Sequence, residues 1–124
     1  MNIWFLFAGA LSAAVCAMHV VMGGREAARP LLASTELDQI AKYTNYYCWH
    51  LVTIIIAALA VAFFVAAINP EARDIALFAV ITALTFSAWS LGMIARFRLP
   101  LLPFGQWILF VAIASVGGAG LALP

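Results

Sequence analysis

The chain has two histidines, and both stand in apolar surroundings: His19 near the end of one hydrophobic run and His50 near the start of the next. An imidazole a few residues inside a segment of hydrocarbon length is costly unless it faces protein, water, a metal or a cofactor, so such a residue marks a site by default. If the two runs form a hairpin, the rings come level with each other. His50 closes the string Tyr46-Tyr47-Cys48-Trp49-His50, and Cys16 stands about one helical turn before His19. Neutral imidazole ligates haem iron, copper and zinc, whereas cysteine and methionine favour cuprous copper.

On this basis His19 and His50 are candidate ligands for haem b or copper, with Cys16 as a further metal ligand. Tyr46 and Trp89 would line a porphyrin held between them, and Thr53, Tyr47 and Cys48 are candidate ligand-binding residues at the same depth. Two other readings use the same residues. Each histidine could hydrogen-bond a neighbour such as Thr53, Tyr47 or Ser90 and pin two helices, a contact worth about 0.6 kcal/mol on average in membranes. Alternatively, the polar stripe could carry protons or a small molecule. The chain contains no CxxCH, HExxH or paired-cysteine zinc pattern, so the redox reading rests on placement alone.

The elements that must position these residues are four apolar runs, at about 3–22, 46–68, 75–95 and 104–123. Each is long enough for a helix to cross roughly 30 Å of hydrocarbon. Lipid offers no hydrogen bonds, so spanning backbone must pair within itself, and the alternation expected of barrel strands is missing. The fold class predicted is an all-α membrane protein, a single domain over 1–124 with four transmembrane helices in an antiparallel bundle. Gly23-Gly24 is expected to end the first helix, Asn69-Pro70 the second, and Leu99-Pro100 with Pro103 to shape the last turn. Between the first two runs, Thr35 and Asp38 in capping-box spacing, an Asp38/Lys42 pair and apolar residues at helical intervals predict a short amphipathic helix on the cytoplasmic interface, either separate or running straight into the second helix.

Helical spacing puts Ser12, Cys16, His19 and Gly23 on one face of the first helix. It puts Tyr43, Tyr46, His50, Thr53 and Ala57 on one face of the second, and Thr82, Thr85, Trp89 and Met93 on one face of the third. These polar faces are expected to turn inward and meet. Small residues recur every four positions at Gly9-Ala13-Ala17, Ala58-Ala62-Ala66, Ala88-Gly92 and Ala114-Gly118, a pattern that permits close helix approach.

Of 124 residues, 67% are hydrophobic and 9% charged, which makes lipid the solvent. The formal net charge of +1 with no basic block leaves nothing to hold a nucleic acid. Arg25, Arg29, Lys42, Arg96 and Arg98 fall in the two loops on one side, against Arg73 alone on the other. The positive-inside rule therefore predicts a cell inner membrane protein with both termini outside the cytoplasm. No basic residue precedes the first run, which is read as a retained helix. No carboxylate lies inside any apolar run, and no Ser/His/Asp order or phosphate loop occurs, so catalysis without a cofactor has no residues to carry it. The expected role is a non-catalytic membrane subunit or binding protein with a polar site near the cytoplasmic face. The bilayer is its first partner, and its helix surfaces leave room for a homo-oligomer or a larger membrane complex.

Overall fold

The computed structural model describes residues 1–123, and every regular element among them is helical. Helix α1 (Ile3–Met18) passes without a break into a π-helix, His19–Ala28, and then into the short α2, Arg29–Ala33. Helix α3 covers Gln39–Ile68, a 3-10 turn Pro70–Ala72 leads into α4 (Arg73–Phe97), and α5 covers Gln106–Ala122. Three helical stretches, Ile3–Ala33, Gln39–Ile68 and Pro70–Phe97, are long and apolar enough to cross a membrane by length and composition. The fourth apolar helix, α5, has 17 residues and is shorter than the run predicted for it.

One expectation for the first loop is corrected. Gly23-Gly24 does not end the first helix, which stays helical to Ala33. No glycine takes the positive φ of a helix-terminating residue, and the wider π turns carry the chain through. The amphipathic segment runs straight into the second helix. Asp38 is the N-cap, accepting from the backbone of Ile40 at 2.8 Å and Ala41 at 3.3 Å, so Gln39 already begins the 30-residue α3. Thr35 stands outside the helix, and the Lys42 ammonium donates to the Leu32 carbonyl at 3.3 Å, drawing the two sides of the loop together.

The core is built from small residues with a few large ones set into them. Buried positions are Phe5, Ala8, Gly9, Ser12 and Val15 on α1, Ile56, Leu59, Ala60, Phe63, Ala66 and Ala67 on α3, Ala76, Ala79, Val80, Ala83, Ser87 and Ser90 on α4, and Phe110, Ile113, Ala114, Gly117 and Gly120 on α5. These follow the 3.6-residue period, which strict every-four stripes drift away from. Gly9, Ala66 and Ala114 therefore face inward, while Ala13, Ala17, Ala58, Ala88 and Gly92 are exposed. Phe63 is fully buried, and a Cβ on Gly117 would stand 2.7 Å from its ring and 2.9 Å from Val80. Phe5 packs in the same way on Gly120, where a Cβ would come within 2.5 Å of the ring. Large apolar residues on the opposite faces, among them Ile54, Val61, Phe78 and Leu84, are exposed, as a lipid-facing surface requires.

One end of the molecule is tied by Asn2. Its side-chain oxygen accepts from the backbone of Trp4 and Phe5, its amide donates to the Gly120 carbonyl at 3.0 Å, and its backbone N–H donates to Ala67 at 2.9 Å. One residue thus caps the start of α1 and satisfies carbonyls at the ends of α3 and α5. The Arg73 guanidinium, at the start of α4, donates to the Leu121 carbonyl of α5 at this same end. At the far end α4 stops on Arg98, the one non-glycine residue with positive φ among those described, at 53°.

Gly117→Ala is expected to lower stability in detergent by about 1–3 kcal/mol through overpacking against Phe63. Gly118→Ala, where an added Cβ meets nothing within 4 Å, should leave the unfolding midpoint unchanged. Asn2→Ala should cost about 1–2 kcal/mol in the same thermal or denaturant titration, since it removes a cap.

Candidate functional site

The apolar residues Ile56, Leu59 and Phe63 decide which face of α3 turns inward. Carried back toward its N-terminus, that face presents Thr53, Trp49 and Tyr46 to the first helix. The two helices are joined there by a ladder of polar contacts. The Cys16 thiol donates to the Thr53 carbonyl at 3.7 Å, and the Thr53 hydroxyl donates to the Trp49 carbonyl at 3.2 Å. His19 Nε2 approaches that same carbonyl at 3.4 Å, a contact that needs the Nε2–H tautomer, because a carbonyl can only accept.

Trp49 is the hub. The His19 ring stacks on its indole with centroids 4.8 Å apart and planes 21° from parallel. Tyr46, one turn earlier, is nearly coplanar in orientation at 3° and 6.2 Å, and His50 meets the indole edge-on at 4.9 Å and Tyr46 edge-on at 4.5 Å. The indole Nε1 is buried without a hydrogen-bond partner, although most buried donors in proteins find one. A Cβ on Gly23 would lie 3.6 Å from that nitrogen and 3.7 Å from the His19 ring, ordinary van der Waals distances, so an alanine would fit at this crossing as well.

The π-helix sets the geometry of this end. The Arg29 N–H reaches the Gly24 carbonyl five residues back, and the wider coil rotates the residues beyond it relative to α1. Arg25 and Arg29, four apart, thereby come to one side of Tyr46 and Trp49. Together with Val20, Val21 and Leu32 they line a cleft of ≈ 360 Å³ between the two elements. A second depression, ≈ 400 Å³, is lined by Gln39, Ile40, Tyr43, Thr44 and Tyr47, all from α3 alone, and has no opposing wall.

The site residues predicted from sequence therefore separate. His19, Cys16, Tyr46 and Thr53 are brought together, all half-buried between α1, the π-helix and α3. His50, Tyr47 and Cys48 lie on the exposed side of α3. Trp89 is 74% exposed on α4, far around the helix from the inward residues Ser87 and Ser90. Thr82 and Thr85 donate to carbonyls four residues back in their own helix, so the third polar face does not join the other two. Shared haem or copper ligation would need His19 and His50 to face each other across the metal, but both rings pack on the one indole and His50 turns outward. Cys16 is engaged with Thr53, and among the described residues no group of three or more His, Cys, Asp and Glu could hold a metal ion. The residues as placed do not form that centre.

Three parts of the site are only faintly signalled in the sequence. Trp49 reads equally as an interfacial anchor, and its position three residues after Tyr46 and four before Thr53 is the signal that places it on the inward face. Arg25 and Arg29 register as topology markers, and their i, i+4 spacing is the only hint of a shared surface. Set against known proteins, the chain matches no family model, no curated protein and no solved structure.

His19→Ala removes a ring stack worth about 0.5–1.5 kcal/mol and a hydrogen bond worth about 0.6 kcal/mol, so a loss of about 1–2 kcal/mol in unfolding free energy is expected. His50→Ala, at an exposed position, should cost less than half as much in the same detergent titration.

Proposed function

We propose that this is a non-catalytic integral membrane protein, a membrane subunit or binding protein, whose binding site lies at the cytoplasmic end where the π-helix crosses α3. The observation that carries the reading is the pairing of His19 with Trp49 beside a cleft that has two arginines and no carboxylate in its lining. A polar group deep in a membrane helix is expensive and is retained where it binds or positions something. With no acid or base pair around it, the cleft is suited to holding a ligand and not to transforming one.

In this reading α5, though short, joins the three longer helices as a fourth span of an antiparallel bundle. What supports it is the burial of its Phe110, Ile113 and Gly117 against α1, α3 and α4. The cationic loops lie toward the cytoplasm, and Arg73, held by the Leu121 carbonyl, lies on the outer side. The exposed small residues Ala13, Ala17 and Ala88 leave room for a second copy or a larger complex against the outer helix faces.

Orientation is tested in cells, with Cys16 and Cys48 replaced by Ala and single cysteines introduced. Glu71→Cys should react with an impermeant maleimide in intact cells, and Glu36→Cys only after permeabilisation; the opposite pattern overturns the assignment of the cleft to the cytoplasmic side. A binding protein without a redox centre is expected to show no Soret band and no stoichiometric copper when purified. A Soret band lost on His50→Ala would replace this reading with a redox module.

A further inference from the structure

The lining of the cleft narrows the class of ligand. Arg25 and Arg29 project from successive turns, and no Asp or Glu contributes to the lining; Glu26, between them in sequence, does not reach it. The ligand must therefore be an anion. Guanidinium groups present planar donor forks that fit phosphate oxygens in pairs, which a lysine ammonium cannot do. Tyr46 and Trp49 form the opposing wall from α3, so the cleft has two independent sides.

The remaining lining is apolar. Val20, Val21 and Leu32 are 45%, 52% and 37% exposed, and the two valines belong to the segment that runs on from the apolar α1. A small soluble anion has no use for such a surface, whereas an amphiphile does. A volume of ≈ 360 Å³ is enough for a headgroup but leaves the tails outside, along the helix. Basic pockets between helices at a cytoplasmic face, at the depth where tyrosine and tryptophan mark the interface, suit lipid headgroups.

We propose that this cleft binds the phosphate of an anionic phospholipid, with Arg25 and Arg29 on the headgroup and the acyl chains lying over Val20 and Val21. The proposal rests on the reading of this end as a cytoplasmic-side binding site. It adds the identity of what binds, and it makes the lipid a specific constituent of the folded protein rather than bulk solvent.

The test is a titration of the full-length, detergent-purified protein by native mass spectrometry with dioleoyl phosphatidylglycerol, dioleoyl phosphatidylcholine and inorganic phosphate as separate probes. One saturable phosphatidylglycerol per chain is expected, bound at least about ten-fold more tightly than phosphatidylcholine, whose phosphate is the same but whose fixed ammonium would stand beside the two guanidinium groups and repel them. Arg25→Gln/Arg29→Gln should abolish that preference, and Arg25→Lys/Arg29→Lys, which keeps the charge and loses the fork, should fall between. Arg96→Gln/Arg98→Gln removes the same charge from the other loop and should leave the affinity unchanged. All four arginines are exposed, and an unaltered helical circular dichroism spectrum confirms that each variant folds. Equal loss in the Arg25/Arg29 and Arg96/Arg98 variants means diffuse surface charge and overturns the proposal, as does equal binding of the two lipids. Binding of inorganic phosphate without preference for phosphatidylglycerol also overturns it, while leaving the binding-site reading intact.

Discussion

In hydrocarbon, apolar side chains gain nothing by leaving their surroundings for one another, so helices of this composition associate only where their surfaces fit more closely to each other than to lipid tails. The structure depends on that constraint. Phe63 inserts where Gly117 has no side chain, and Phe5 does the same at Gly120, so that α1, α3 and α5 approach through aromatic rings set against bare backbone. Around these contacts the alanines of α4 complete a core that contains few large residues. Dispersion between well-fitted surfaces, individually small per atom pair, supplies the cohesion that water would otherwise drive.

Polar groups finish what packing begins, and they are concentrated at the two ends. Asn2 gathers the termini of three helices at one end, where free carbonyls would otherwise face lipid headgroups. At the other end the joining element is a backbone carbonyl, that of Trp49, approached by both Thr53 and His19. The π-helix belongs to this second junction. By lengthening each turn it turns Arg25 and Arg29 toward Tyr46 and Trp49, and so converts a simple helix crossing into a two-walled cleft. One residue serves both structures here, since the indole that supports His19 also forms a wall of the cleft.

Some of this was legible in the residues and some was not, for reasons that differ from element to element. Apolar length alone announces the helices, because a backbone in lipid has few conformations open to it. The boundaries were less secure: Gly23-Gly24 reads as a stop, yet glycine ends a helix only when it takes positive φ, and here the backbone stays helical. The inward face of α3 lies about one residue around from the face that its polar residues suggest. The polar pattern groups His50 with Tyr46 and Thr53, whereas Ile56, Leu59 and Phe63 set the rotation and bring Trp49 in its place. Trp89 on α4 reads as inward from the polar pattern in the same way, yet it is exposed. Threonines that bond their own helix carbonyls impose no direction on the helix, so Ala79, Ala83 and Ser87 could take the inside.

By itself, the sequence determined that this chain is helical, that its helices are made for lipid, and that its two histidines fall in the first and second of them. These follow from solvent and backbone chemistry, which act locally and can be read residue by residue. Only the tertiary structure decided that His19 rests on Trp49 while His50 looks outward, and that two arginines of the helical continuation of α1 share a cleft with an aromatic pair. Those facts depend on helix rotation and on a change of helical pitch, both of which are fixed by how distant surfaces interlock.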